Sequence, residues 1–482
     1  MATPTTTQVI EALGAPDAAK AWAKNIARWS YLYACRRPEI TIELIDGKHT
    51  RRRRSLGMAK RVAEDWAGLL WTENAGVVAG GIPEQECLDR VFGSDFSERF
   101  ATDVENAFAK GTGAIEILPN ELTVDTATGE LFFDETARLD LAYVPAECII
   151  PLKWRRNEIT EAAFVSWEGE TVTVREHRGD DAVRTIKTRV FKAPDMSGVG
   201  KLIETPLPEE VIPELVLIDS PPMFVVLSPA IANNIDPESP FGISIYANAE
   251  DALDGVDESF DNFLEDIHLG GKMVFLPDTM LRKSTTLDPV TGKPKLIPPQ
   301  ADKRNLFVAL DNATGEDQKI HEHNPDLRVA DNKLAVETTL ALVSSLCGMG
   351  EDRYTFTGTG VKTATEVISE NSDLYLNRRK HLKKLISTLT RLSRAVLWAA
   401  REFLGERVDP DVEITVTSDD SVIEDDGSRQ ARGLAKVAAG VLSELTYLID
   451  YEGYPEPEGY DRSAEAEIAR IKSGRAATPL FG

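Results

Sequence analysis

From Thr363 to Leu404 the chain runs without a glycine or a proline, and Gly405 ends the run. Nothing in it breaks the backbone ladder of a helix, so it reads as one element, roughly 60 Å long if straight. Its first residues, Thr363-Ala-Thr-Glu366, form a capping box, in which Thr and Glu satisfy each other's backbone N–H groups. A helix of this length either crosses a large assembly or is kinked. Leu382, Leu385, Leu389, Leu392, Val396, Ala399 and Phe403 follow three–four spacing, which turns one stripe toward a partner. Around the stripe stand Arg378, Arg379, Lys380, Lys383, Lys384, Arg391, Arg394 and Arg401, with no acid between Leu374 and Arg401.

That basic face is a local reversal. The 482 residues carry 79 acidic against 54 basic side chains, a net charge of −25. Such a chain does not coat nucleic acid with its whole surface, although nucleic acid can pass it without sticking. The length suffices for about two to four domains. Cys35, Cys87, Cys148 and Cys347 form no C-x-x-C. The close histidine pair, His321 and His323, reads as loop residues rather than metal ligands. Reduced cysteines suit a cytosolic chain. The N-terminus lacks a basic segment followed by an apolar run, and no apolar stretch is long enough to span a bilayer. The chain is expected to be made and used in a cytoplasm, with no membrane partner.

In order, helical patterns occur at 17–34, 55–70 and 84–110, the last broken near Gly93. Arg51 to Arg54 read as a solvated or salt-bridged helix entry. From Gly111 to residue 228, short alternating runs imply a mainly antiparallel β region. A long helix follows at 243–269, with a stripe of Leu253, Val256, Phe260, Phe263 and Ile267. Its other face carries Glu250, Asp251, Asp254, Asp257, Glu258, Asp261, Glu265 and Asp266. The basic helix 363–404 is one candidate partner for it, and water is the other. Residues 272–325 are a β-like excursion, 328–347 a returning helix, Val412–Thr417 a short strand and 428–450 a smaller helical unit.

Gly358-Thr-Gly-Val-Lys-Thr363 superficially suggests a phosphate-binding loop, but no glycine precedes the lysine and a helix, not a strand, comes first. Neither G-x-S-x-G nor H-E-x-x-H occurs, and acids spread along a helix lack the convergence of a metal site. No catalytic residue, metal ligand or cofactor is assigned. A nucleotide- or metal-dependent enzyme with a spatially assembled site stays as an alternative, as does a nucleic-acid-binding scaffold using 374–401.

The order of elements resembles the portal (head–tail connector) proteins of tailed bacteriophages, those with long non-contractile tails in particular. Gly360-Val-Lys-Thr-Ala-Thr-Glu366 and Leu139-Asp-Leu-Ala-Tyr-Val-Pro-Ala-Glu-Cys-Ile-Ile-Pro151 carry the resemblance locally, and it extends over roughly 20–470. It implies an α+β ring subunit: a wing from 1–242, stem helices at 243–269 and 328–347, a small β-containing clip at 270–327, a tunnel loop at 348–362, a long wing helix at 363–404, and a crown with C-terminal tail at 405–482. The implied role is a closed ring at one capsid vertex, twelve-fold in the virion, through which double-stranded DNA is packaged and ejected. The implied partners are the terminase large subunit, a head–tail adaptor protein, scaffolding protein and major capsid protein, with no cofactor. On this basis Asp251, Asp254, Glu258, Asp261 and Glu265 either line the channel or meet a neighbouring subunit. Arg353, Tyr354, Thr355, Phe356, Thr357, Thr359 and Lys362 form the tunnel loop. Arg378, Arg379, Lys383, Arg391 and Arg394 present a basic face to an adjacent subunit.

Overall fold

The computed structural model describes residues 5–44, 47–72, 75–121, 123–124, 131–132, 137–180, 182–193, 201–208, 211–270, 273–277, 282–287, 292, 294–297, 307–310, 320–324, 326–354, 356, 372–418, 433–452, 454, 457, 460 and 464–477. Helix and sheet are both extensive, and the fold is α+β.

The first helices form where apolar residues recur with helical period. They are α1 (Thr6–Leu13), α2 (Ala18–Tyr33), α3 (Met58–Leu70), α4 (Ile82–Phe92) and α5 (Phe96–Lys110). Helix α2 buries Trp22, Ile26, Trp29 and Leu32, and α3 buries Val62, Trp66 and Leu70. Gly93, at φ 76°, separates α4 from α5. Between α2 and α3 the chain makes an antiparallel hairpin, β1 (Glu39–Leu44) and β2 (Gly47–Arg52). Arg51 and Arg52 therefore end a strand rather than open a helix. Strand β3 (Gly76–Ala79) lies between α3 and α4.

The β region is antiparallel in every pairing among its described strands. Its strands are β4 (Gly113–Asn120), β5 (Thr123–Val124), β6 (Leu131–Phe132), β7 (Arg138–Pro145), β8 (Ile149–Arg155), β9 (Glu158–Glu168), β10 (Thr171–Gly179), β11 (Val183–Lys192), β12 (Ile203–Thr205), β13 (Glu214–Ile218) and β14 (Phe224–Leu227). One sheet runs β14-β4-β7, and the larger runs β12-β11-β10-β9-β8 with β13 also on β11. Strand β4 is buried from Gly113 to Ile117, with α5 among its neighbours.

Gly111 ties the β region to the segment that leads into α6 (Glu250–Leu269). It sits at φ 82°, and a side chain there would meet the backbone of Gly242 and Ile243 within 2.8 Å. Only glycine permits that approach. Ile245 N then donates to Phe108 O at 2.9 Å, which fixes the entry to the helix. Helix α6 starts later than the 243–269 span expected from sequence, because 243–249 is irregular chain, a turn and one 3-10 turn packed on the core.

After α6 comes the small β unit: β15 (Met273–Pro277), β16 (Arg282–Leu287), β17 (Pro294–Ile297), β18 (Phe307–Leu310) and β19 (His321–His323). Strand β15 pairs in parallel with β18 and antiparallel with β19, so His321 and His323 are strand residues rather than loop residues. Helix α7 (Val329–Leu346) returns antiparallel to α6, with Asn332 on Asp266 and Thr339 facing Gly255.

The long helix, α8, is described over Ser372–Phe403, 32 residues and about 48 Å at the usual rise. The capping box at Thr363–Glu366 lies outside the described residues. Leu385, Leu389, Leu392, Val396, Ala399 and Phe403 are all buried, as their spacing predicts. They pack within this chain, on β14, β4, α3, α4 and β20 (Ile414–Thr417). Strand β20 pairs with β3, so the chain after α8 returns to the N-terminal body. Helices α9 (Glu444–Glu452) and α10 (Ala464–Ala477) form a small unit, joined through Glu467, which accepts from Ser443 N at 2.7 Å and Thr446 Oγ1 at 2.6 Å. Among the described residues no helix is long and apolar enough to cross a membrane.

Candidate functional site: the α6–α7 pair, the loop after it and the basic face of α8

The acids of α6 divide into two rows. One row faces the N-terminal body and is bound there by arginines. Arg51 forks onto Asp261 at 2.8 and 2.9 Å and reaches Glu265 at 3.3 Å. Arg54 lies 3.8 Å from Asp261 and 3.6 Å from Glu265. Arg37, itself buried, holds Asp254 at 2.7 Å and also pairs with Asp257. Leu56 N donates to Asp257 at 2.9 Å. Glu250 accepts from Trp29 Nε1 at 2.8 Å and pairs with Arg28. The hydrogen bonds from Arg51, assisted by the Arg54 backbone and both charges, hold the Asp261 carboxyl below its ordinary range despite its burial. Burial pushes Glu250 the other way.

The other row, Asp251 and Glu258, is exposed, and Asp254, though held by Arg37, keeps its side chain 57% exposed. The five acids expected to line a channel or meet a neighbouring subunit are thus not all open. Asp261 is buried against Arg51 and cannot present an open charge, and Glu265 is half-buried on the same arginines. The run Arg51–Arg54 and the acid run were both visible in sequence, but their pairing was not. The sequence offered α8 or water for the acid face of α6. The structure instead packs α6 against α7 and the arginines at 28–54.

Helix α7 carries apolar side chains on two faces. Val336, Leu340 and Val343 are buried, while Leu334, Leu342 and Leu346 are 64%, 52% and 53% exposed. Ile267, the last residue of the α6 stripe, is also exposed. The charged end of α7 is fastened locally: Arg328 forks onto Asp266 at 2.9 Å through both oxygens, and Asn332 adds a bond at 2.8 Å. These two partners, Asn332 first, keep Asp266 below the usual carboxylate range.

The loop after α7 is pinned at its start. Trp66 Nε1 donates to Cys347 O at 3.1 Å, and Asn377 Nδ2 to Gly348 O at 3.1 Å. Gly348 sits at φ 77° with Asn377 close over it, so it serves a fixed turn. Tyr354 donates to Asp65 at 2.9 Å, Arg353 lies 3.7 Å from the same carboxylate, and Arg61 approaches it at 3.1 Å. Burial, then Asp65, pushes the Tyr354 hydroxyl far up, so it stays neutral. Phe356 is exposed. Of the expected tunnel-loop residues, Arg353 and Tyr354 face the body of this chain; Thr355, Thr357, Thr359 and Lys362 lie outside the described residues.

The basic face of α8 is also split. Arg378 is buried: its Nε donates to Leu69 O at 2.8 Å and its Nη2 to Ser418 Oγ at 3.0 Å. It cannot serve a neighbouring subunit as sequence suggested. Its partner, Leu69 O, is one of the carbonyls left open at the C-terminal end of α3, where a cation is favoured. Arg391 pairs with Glu158 of the same chain. Lys384 donates to Ser228 Oγ at 2.7 Å and to Pro229 O at 3.1 Å, and burial lowers its pKa. His381 accepts from Ala230 N at 2.9 Å; burial and the nearby lysines push it down to about 4, so it is neutral. Arg379, Lys380, Lys383 and Arg394 remain exposed.

Sequence reasoning missed one charged cluster altogether. Glu116 on β4 is fully buried and accepts from Arg175 at 2.9 and 2.8 Å, with His177 Nε2 2.9 Å from its other side. Burial alone would raise its pKa, but His177 and Arg175 together hold it below the ordinary value. The only signal in sequence is a charge at the centre of the apolar run Ala114–Leu118.

No family model matches the chain, and no curated protein does. Solved structures of gene transfer agent particles are similar to it in part. A chain from the neck of a native particle, computed with C12 symmetry, aligns at TM-score 0.38 and 13% identity, covering 83% of this chain and 90% of that one. A chain from the virion of the native particle aligns at TM-score 0.41 and 14% identity, covering 90% and 94%. A chain from the neck of an empty particle, computed with C6 symmetry, gives 0.37, 14%, 83% and 90%. Likenesses this low lend the chain neither a fold nor a role.

Proposed function

We propose that this chain is a structural ring subunit of a tailed-phage-like particle, the portal through which double-stranded DNA passes. The observation that carries the reading is α7. A helix with apolar residues on two faces has one face covered by its own chain and the other bare, and such a face needs a second copy. Helices α6 and α7 bracket the β unit between them in the chain. A contact between two different faces is head-to-tail, and head-to-tail contacts close into rings when the rotation permits.

The exposed acids Asp251 and Glu258 suit a passage for DNA, since acids repel phosphates and prevent tight binding. Its arginine-bound counterpart gives α6 a rigid footing. In this reading the loop at 348–362 meets the moving DNA, from a start held to the body at Cys347 and Gly348. The β unit between the helices is the proposed docking surface for a packaging motor and later for adaptor proteins. Chemical energy for translocation comes from the motor.

Light scattering on the purified chain, with Leu334→Gln/Leu342→Gln as the comparison, tests the reading. Wild type assembles into a large closed species and the double variant stays monomeric with the same circular dichroism. Equal assembly by both would remove α7 as the contact.

A further inference from the structure

Strand β14 is the edge of its sheet, paired with β4 alone among the described strands. Ile117 N donates to Met223 O at 2.9 Å, which makes those two a hydrogen-bonded pair of the ladder. Bonded and non-bonded pairs alternate along an antiparallel ladder, so Phe224 and Val226 turn their N–H and C=O groups away from β4. Among the described residues these groups find no partner. A groove of about 380 Å³ opens here, and Phe224, Val225 and Val226 all line it. Successive side chains of a strand alternate between faces, so three residues in a row mark a groove along the strand's edge. Pro222 in its lining is exposed and Val226 half-buried, which leaves it open to a ligand.

The charged part of the lining is basic. Arg184, Arg391 and Arg394 contribute to it, against Glu158 as the one acid. Glu158 is paired with Arg391, and Arg184 Nε donates to Ser220 O at 3.0 Å. Arg394 is exposed and, among the described residues, makes no ion pair or hydrogen bond. The groove therefore keeps an excess of positive charge on a chain whose net charge is −25. Ile159 and Pro221 add apolar surface beside the arginines.

We propose that this groove binds an extended peptide segment of another protein, acidic and apolar in turn, added as a strand along the edge of β14 with a carboxylate on Arg394 and apolar side chains on Pro222 and Val226. An open strand edge takes an extended chain through main-chain hydrogen bonds, and the pockets beside it read alternate side chains. A guanidinium takes a carboxylate through two parallel hydrogen bonds. Double-stranded nucleic acid brings phosphates to the same arginines, but it has no strand for the β14 edge and no apolar group for the groove. A second copy of this chain, docking as a folded body, meets the arginines without entering the groove.

Fluorescence anisotropy of the full chain with a fluorescein-labelled octapeptide alternating glutamate and valine tests this. The expected result is saturable binding, weakened about ten-fold by Arg394→Glu and several-fold by high salt, which screens the exposed arginine. Arg394 is exposed and unpaired among the described residues, so the variant keeps the circular dichroism and melting temperature of wild type. The same octapeptide N-methylated at every residue cannot pair as a strand and does not bind; nor does an octapeptide alternating lysine and valine. Absence of saturable binding, equal affinity in Arg394→Glu, or binding undiminished by N-methylation overturns the proposal. Where the peptide does not bind, a labelled DNA duplex that binds wild type more tightly than Arg394→Glu assigns the arginines to nucleic acid. A change of assembly state in Arg394→Glu, read by light scattering, assigns them in that case to a second copy.

Discussion

Single residues separate the charges that hold this molecule together from those left to act outside it. Glu116, with Arg175 and His177, is bound on every side and out of water. Replacing it by Gln strips a buried guanidinium of its counter-charge, and we expect a loss of about 3–5 kcal/mol in urea unfolding. Glu116 and Asp261 both have folded pKa values below their ordinary ones. A group depressed in this way stabilises the fold above its unfolded pKa and stops doing so as pH falls through the folded one. The melting temperature should therefore fall below about pH 4, and Glu116→Gln should flatten that decline. An unchanged acid limb would mean other carboxylates govern it. Arg378 and Arg379 make a sharper pair: Arg378→Ala leaves Leu69 O and Ser418 without their donor and should cost about 1–3 kcal/mol, while Arg379→Ala should stay within about 0.5 kcal/mol. Sequence showed both only as members of one basic run. Which of them turns inward depends on where α3 ends, and no local pattern encodes that.

At the scale of elements, helices were legible because their apolar residues recur at a period that only a helix can bury. The α8 stripe is the clearest case, and Leu389→Ala should cost about 2–5 kcal/mol, read by chemical denaturation. The partner of the stripe was not legible. Spacing says that a face is covered, not what covers it, and here sheet and helices of the same chain do so. The β1–β2 hairpin escaped for the opposite reason. Its second strand, Gly47–Arg52, is polar throughout and reads as a solvated run, yet its Arg51 is what Asp261 and Glu265 of α6 bind. The α6 acids, which read as one face in sequence, divide between a row bound by arginines and the open Asp251 and Glu258. We expect Asp251→Lys/Glu258→Lys to leave the melting temperature within a few degrees and to slow DNA passage in a packaging assay. Arg51→Ala should instead destabilise the fold, because it leaves Asp261 buried without its fork.

For the whole molecule, the faces that one copy cannot satisfy decide how copies meet. The chain buries its large apolar side chains in one core running from α2 through the sheet to α8, yet leaves the second face of α7 bare. Its net charge of −25 keeps copies apart unless that face draws them together, so assembly should strengthen with salt, which screens repulsion between the acidic surfaces. We propose on this basis that copies close into a ring around an axial passage. Averaged electron images of the purified chain, viewed down the assembly axis, are the decisive measurement. The expected image is a closed ring with a central hole that survives deletion of 355–362 and is lost in Leu334→Gln/Leu342→Gln; a monomer or dimer at every concentration and salt, or a compact particle without a hole, would contradict it.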